Sequence, residues 1–338
     1  MEISPPYLLF LGDIEDPLSA KTSRGIAQWR PEKCLGQLSM PGCRTSLGLP
    51  ELTMKEAADQ GAKTFILGLA NSGGRIADGW LPYIRQALEH GMDIASGLHQ
   101  KVGDIAEIRE LADRLGRRIF DVRHPGRALS VGTGKKRPGR RILAVGTDCS
   151  VGKMYTALAL EREMKERGLN VDFRATGQTG ILIAGGGISV DAVVADFISG
   201  AVEELAPANS PDHWDVIEGQ GSLFNPSFAG VSLGLLHGAQ SDALVLCHEV
   251  GRPHMRGLPH LQTPDIQKCI NANLGAAHLT NPGAFLGGIA VNSSALGEEE
   301  ARGYCREMTE RYAVPCVDPM RHGISQILDF ILSRGGEP

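Results

Sequence analysis

The residues best equipped to do chemistry are gathered between positions 141 and 155. Arg141-Ile-Leu-Ala-Val-Gly146-Thr147-Asp148-Cys149-Ser150-Val151-Gly152-Lys153-Met154-Tyr155 runs from an apolar strand through a glycine-bounded loop to a lysine and an amphipathic helix. Gly146 and Gly152 let successive backbone N–H groups turn toward one point, the helix N-terminus adds partial positive charge, and Lys153 supplies a full one. That is a Walker A loop in the strand-to-helix context the motif requires, and a pyrophosphate would fit it, contacted from Gly146 to Tyr155. Two departures limit the chemistry. Five residues separate Gly146 from Gly152 where four are usual. The Ser or Thr that follows the lysine and holds Mg²⁺ in nucleotide hydrolases is Met154, a thioether unsuited to a hard cation. Thr156 lies two places on and faces elsewhere on the helix, so the loop is expected to hold phosphates while ATP with Mg²⁺ is doubtful.

Further candidates stand at the ends of the next apolar runs, where an open α/β sheet binds its ligand. Arg174, Gln178 and Thr179 follow one run, Glu218 and Gln220 another, and His248, Arg252 and Arg256 a third. Glu218 has the chemistry of a general base, with a helix-capping carboxylate as the plainer alternative. The Cys247-His248-Glu249-Val-Gly-Arg252 segment is not a zinc-protease motif, since position 252 is arginine and Gly251 and Pro253 would break the helix, and no metal site is assigned. Arg252, Arg256 and a histidine suit an anionic substrate, because guanidinium pairs bidentately with carboxylates. In the first part of the chain Asn71, His99, Arg123 and His124 stand near strand ends, either lining a cleft or belonging to surface loops.

The elements that must position these residues follow from alternation. Strands are predicted at 7–11, 64–69, 93–95, 118–122, 141–145, 171–174, 214–217, 243–247, 288–292 and 314–317, and helices at 54–60, 81–90, 104–115, 154–167 and 191–205. Strands alternating with helices imply βαβ units and parallel sheets. The glycine-rich, basic stretch Ser130–Arg140 has no apolar face to bury and divides the chain, giving domains 1–135 and 136–338. The fold class is α/β: an N-terminal Rossmann-like parallel sheet and a C-terminal P-loop NTPase-like three-layer α/β/α domain. NAD binding is not expected, because a full G-x-G-x-x-G and its downstream acid are missing.

Composition excludes several classes. The net charge of −5 gives no general attraction to nucleic acid or an anionic membrane, and no apolar window is long enough to span a bilayer. Seven cysteines, an odd number with no C-x-x-C pair, indicate neither a disulfide framework nor a zinc ribbon and fit a reducing cytoplasm. The 43 glycines cluster in short runs beside apolar segments, as loops built round a ligand would require.

Two resemblances add to this reading. The loop Gly-Thr-Asp-x-x-Val-Gly-Lys, with the segment around Glu218, resembles dethiobiotin synthetase and its relatives among the P-loop ATPases. Over nearly the whole chain, Gly-Leu-Ala-Asn-Ser-Gly-Gly (68–74), Ser-Gly-Leu-His (96–99), the phosphate loop (146–154), Thr-Gly-Gln-Thr-Gly (176–180), Val-Asp-Ala-Val-Val-Ala-Asp-Phe (190–197) and Ile-Glu-Gly-Gln-Gly-Ser-Leu (217–223) resemble the D-glutamate N-acetyltransferase-like family. That family pairs a Rossmann-like domain with a P-loop domain and was long carried without a function. The resemblance implies acetyl transfer from acetyl-CoA, as cosubstrate, to the amino group of D-glutamate in D-amino-acid catabolism, beside an epimerase-like enzyme. The residues accord with it. Coenzyme A carries a pyrophosphate that such a loop can cradle without the Mg²⁺ ligand, and an α-amino group with a pKa of about 8 needs a base at neutral pH. Glu218, Lys153 and His248 are then the catalytic candidates, with Arg174, Gln178, Thr179, Gln220, Arg252 and Arg256 on the substrate. Backbone N–H groups near Gly219–Gly221 or Gly185–Gly187 are candidates for the oxyanion hole. Two alternatives stay open: an ATP-dependent ligase or kinase acting on a carboxylate, and a nucleotide-responsive binding protein. A small-molecule amino-acid substrate and a homo-oligomer are expected, with neither nucleic acid nor membrane as partner.

Overall fold

The computed structural model describes residues 2–69, 72–126 and 128–334, so Asn71 lies outside the described residues. The chain folds as two compact units, Met1–Gly126 with Gly177–Ala192, and Arg127–Thr176 with Val193–Pro338. The expected division at 135/136 therefore differs in two respects. The stretch after residue 127 packs with the second unit, where Glu203 accepts the Thr133 and Gly134 amides at 2.9–3.0 Å and a Cβ on Gly200 would lie 1.9 Å from the Ser130 carbonyl. The segment 177–192 leaves the second unit and completes the first.

In the first unit β1 (Tyr7–Gly12), β2 (Cys34–Ser39), β3 (Thr64–Leu67), β4 (Asp93–Ser96) and β5 (Ile119–Asp121) form a parallel sheet in the order β2-β1-β3-β4-β5. All six residues of β1 are buried, as a central parallel strand demands. Helices α1 (Lys21–Trp29), α2 (Met54–Asp59), α3 (Leu81–Glu89) and α4 (Ala106–Leu115) make the crossovers. The core centres on Phe10, whose ring lies 5.1 Å from Phe65, 5.4 Å from Tyr83 and 6.2 Å from Trp80.

In the second unit β6 (Arg140–Gly146) is followed by α5 (Lys153–Glu166) and β7 (Val171–Arg174). The excursion α6 (Gln178–Ala184) packs on α1 in the first unit, with Ile183 3.3 Å from where a Cβ on Gly25 would stand. The chain resumes with α7 (Ile198–Leu205), β8 (Trp214–Ile217), α8 (Ala229–Ala239) and β9 (Ala243–Glu249). A hairpin of β10 (His254–Met255) and β11 (Leu258–Gln262) precedes α9 (Ile266–His278), β12 (Phe285–Asn292), α10 (Glu298–Tyr312), β13 (Cys316–Val317) and α11 (Ser325–Arg334). The main sheet is parallel in the order β13-β12-β9-β6-β8-β7. From β6 the chain winds toward β7, and from β9 it winds toward β13. With right-handed crossovers, winding in both directions puts helices on both faces and opens a crevice between the carboxyl ends of β6 and β9.

Strand β2, the β10–β11 hairpin and helices α1, α6 and α8–α11 go beyond the elements predicted, and two of the predicted details differ. The helix expected over 191–205 is confined to α7, because Val194 takes an extended ψ of 137° and leaves only short 3-10 turns before it. Within the amphipathic helix expected over 154–167, the charged Glu161 is not on a solvent face but 2% exposed and paired with Lys165 at 2.6 Å. Among the described residues no helix is long and apolar enough to cross a membrane.

Candidate functional site

The loop between β6 and α5 lies beside the carboxyl end of β9, its Thr147 N–H donating to the Cys247 carbonyl at 3.0 Å. Gly152 caps α5 at φ +109°, a conformation L side chains rarely adopt, and no side chain caps the helix end. Lys153, 6% exposed, turns back into the loop and donates from Nζ to the Asp148 carbonyl at 2.7 Å. Burial lowers the Lys153 pKa, opposed by Cys247, Cys149, Asp148 and Glu218. An anion in the loop would return the stabilisation that burial removes.

Asp148 holds the loop to its surroundings. Its carboxylate accepts the Asn225 amide at 3.1 Å, an Arg252 Nη1 at 3.0 Å and the Arg256 backbone N–H at 2.6 Å. Burial pushes this carboxyl up, but the bonds from Arg256, Asn225, Cys149 and Arg252 outweigh it and leave the pKa below its ordinary value. Arg252 also donates to the Cys149 and Ser150 carbonyls at 2.7 and 3.1 Å and pairs with Glu249. It therefore clasps the loop, while the Arg256 side chain is exposed on the adjoining hairpin. The half-buried Cys149 thiol has its pKa raised by burial and is no ready nucleophile.

Across the loop stands the turn after β8. Glu218, 4% exposed, accepts the Thr176 N–H on Oε2 at 2.9 Å, while its own carbonyl accepts the Thr176 hydroxyl at 2.7 Å. Gln220 donates to that hydroxyl at 3.1 Å, and Ser222 donates to the Thr147 carbonyl at 3.1 Å. Close approach depends on Gly219, since a Cβ there would meet the Ala144 carbonyl at 1.6 Å and the Lys153 side chain at 3.0 Å. His248, at the end of β9, has Nδ1 3.1 Å from the Thr147 hydroxyl. Its pKa is lowered by burial and by Arg252, against Glu249, which favours the neutral ring. Thr156 accepts the Cys247 thiol at 3.3 Å inside the helix–sheet interface and offers no substitute for a metal-binding hydroxyl at position 154.

The second unit thus brings together Lys153, Asp148, Glu218, Gln220, His248, Arg252 and Arg256. Three other candidates stand elsewhere. Arg174 reaches back along the sheet to Asp172 and Asp215 at 2.9 and 2.6 Å. Asp172, His213 and Asp215 have metal-ligand spacing, yet Arg174 and Arg141 already match their charge. Gln178 and Thr179 belong to the first unit, where Gln178 accepts Arg123 at 2.5 Å and Thr179 shares a hydroxyl contact with Thr22 at 3.3 Å. The Gly185 carbonyl there accepts the Ile3 N–H, so the first unit also claims the beginning of the Gly185–Gly187 run. Sequence reasoning missed Thr176 and Asn225 as supports, although Thr176 opens one quoted glycine motif and Asn225 stands two residues past another.

Residues 130–328 match the C-terminal P-loop domain of the DUF1611 family, a domain of unknown function, and residues 38–125 match its N-terminal Rossmann-like domain. The chain is 54% identical over 328 residues to a D-glutamate N-acetyltransferase of Pseudoalteromonas sp, covering 97% of this chain and 99% of that one. It is 52% identical over 329 residues, with the same coverage, to a D-glutamate N-acetyltransferase of Tritonibacter scottomollicae. A crystal structure of a DUF1611 family protein from Anabaena variabilis, 29% identical, superposes with a TM-score of 0.83 over 98% of this chain and 100% of that one.

Proposed function

We propose, the chain belonging to the DUF1611 family, that it is an amino-acid N-acetyltransferase that moves an acetyl group from acetyl-CoA to the amine of D-glutamate. The observation that carries the reading is a phosphate cradle built round a buried lysine in which the metal-holding hydroxyl is replaced by Met154 and Thr156 is tied to Cys247. Such a loop suits a ligand that is held by its phosphates and reacts elsewhere. The names of the two relatives support the transferred acetyl group and the acceptor.

On this reading the pyrophosphate of coenzyme A lies on the loop amides and Lys153. Glu218 takes a proton from the substrate ammonium, the neutral amine attacks the thioester carbonyl, and the N–H groups of Gly219–Gly221 stabilise the tetrahedral oxyanion. Collapse breaks the carbon–sulfur bond and the thiolate of coenzyme A leaves. The second proton, lost by the nitrogen after attack, passes through the Thr147 hydroxyl to neutral His248, and the proton held by Glu218 goes to the departing thiolate. Arg256 meets a substrate carboxylate. The first test is calorimetric titration with acetyl-CoA and, separately, with Mg-ATP. Acetyl-CoA is expected to bind and Lys153→Ala to weaken it about ten- to a hundredfold, the range of a charge-assisted hydrogen bond. Release of free thiol with D-glutamate but not L-glutamate supports the acceptor; binding of Mg-ATP alone overturns the transferase in favour of a ligase or kinase.

A further inference from the structure

At the edge of the second unit's sheet, α10 packs on β13 around a cavity of about 300 Å³ whose lining includes Arg302, Cys305, Arg306, Thr309, Cys316 and His322. The Thr309 hydroxyl donates to the Cys305 carbonyl at 2.9 Å and accepts the Cys316 N–H at 2.9 Å, so one oxygen pins the two cysteine backbones side by side. Cys305, Cys316 and His322 all line this one cavity. His322 Nε2 lies 3.1 Å from Glu298, which also pairs with Arg302 at 2.8 Å. The turn carrying His322 is fixed in its turn: the His322 N–H donates to the Asp318 carbonyl at 2.8 Å, and the Asp318 carboxylate accepts the Ser293 N–H and hydroxyl at 3.0 and 2.5 Å.

Two cysteines whose backbones share one hydroxyl, and which open on a single cavity with an imidazole and two guanidinium groups, are organised differently from a pair of packed core cysteines. The neighbouring Cys316, working against burial and helped by His322, brings the Cys305 pKa down to about 7, while Cys316 moves upward. Two of the half-buried cysteines are set otherwise: burial pushes Cys34 up to about 12 and raises Cys149.

We propose that Cys305 and Cys316 form a reversible oxidation site, at which a small hydroperoxide such as hydrogen peroxide converts the dithiol to an intramolecular disulfide. The Cys305 thiolate attacks the nearer peroxide oxygen, the O–O bond breaks, and hydroxide leaves and takes a proton to become water. The product is a sulfenic acid on Cys305. The Cys316 sulfur then attacks that sulfenic sulfur, the S–O bond breaks, its oxygen departs as a second water with the Cys316 proton, and the disulfide closes. Two electrons pass from the thiols to the peroxide, and any free thiol reductant reverses the change.

The test is peroxide titration of the purified full-length protein, followed by alkylation under denaturing conditions and peptide mass mapping. A Cys305–Cys316 cross-link is expected before oxidation of Cys34, Cys43 or Cys149, although Cys305 and Cys316 are only 7% and 3% exposed and those three are half-buried. Cys316→Ser should stop at a sulfenic acid on Cys305, trapped as a dimedone adduct. His322→Asn should slow Cys305 oxidation about five- to tenfold at neutral pH and move the inflection of its alkylation rate up from near 7 toward the ordinary thiol value of about 8.5. Oxidation first at the more exposed cysteines, or a Cys316→Ser protein with no adduct on Cys305, overturns the proposal. The wild-type cross-link needs no substitution and keeps the test decisive if a variant does not fold.

Discussion

Glu218 and Asp148 are two carboxylates within one site that the structure puts to different uses. Glu218 is nearly sealed from solvent and bonded on one oxygen to the Thr176 amide, so replacing it by glutamine keeps the shape and removes the proton acceptor. Glu218→Gln is expected to lower kcat about a hundredfold or more, with KM for acetyl-CoA changed little, in steady-state thiol-release kinetics. Unchanged turnover would remove it as the base. Asp148 instead holds chain to chain. Its folded pKa is depressed, so its contribution to stability is complete above the ordinary carboxylate value near ~3.9 and is lost as pH falls through the lower folded value. Asp148→Asn should cost roughly 2–4 kcal/mol at neutral pH, because Arg252 keeps its burial and loses a charged partner. Denaturant melts at several pH values check this: the variant's deficit should shrink below that acid range.

At the scale of elements, the backbone spacing of the site rests on one glycine more than on any side chain. The turn after β8 reaches β6 only because residue 219 has no Cβ; one placed there would stand 1.6 Å from a backbone carbonyl, where nothing flexible can yield. Gly219→Ala is expected to destabilise by about 3 kcal/mol or more and to displace Glu218, while Gly230→Ala in α8, with open space around it, should be neutral or slightly stabilising. Thermal melts of the two side by side make the comparison. The same elements mark how far the sequence could be read. The strand, loop, lysine and helix of residues 140–166 were legible because each step has its own local signal: an apolar run, two glycines bounding a loop, and a lysine followed by a run of strong helix formers. Helix α8 was not, since Ala229–Ala239 is small and apolar on every side and shows no stripe. The roles of Arg174 and Arg252 were hidden for another reason. Their charge was visible, but Asp215 and Asp148 lie 41 and 104 positions away, and only strand register brings each pair together.

For the whole molecule, the least legible feature is the excursion of 177–192. Its glycine-rich flanks read as a ligand loop inside the second domain, and no local signal says that α6 belongs with residues more than a hundred positions earlier. The physical reason lies in α6 itself: Ile181, Leu182 and Ile183 are fully buried, with Ile183 against Gly25 and Leu182 against Gly97, and Lys33 Nζ donates to the Ala184 carbonyl at 2.9 Å. Burying an aliphatic side chain contributes about 1.5–3 kcal/mol, so removing α6 from the first unit withdraws roughly 5 kcal/mol, comparable with the whole stability of a small domain. A fragment ending at Gly126 should therefore be unfolded or molten, with dye-accessible apolar surface and no cooperative melt. The same fragment joined through a flexible linker to 177–192 should recover a cooperative transition and lose the dye binding. Equal, cooperative melts of the two fragments would mean that α6 is an ornament on the first unit. The expected result would make it a structural part, and would explain why a cut of this chain at one point in sequence cannot yield two intact domains.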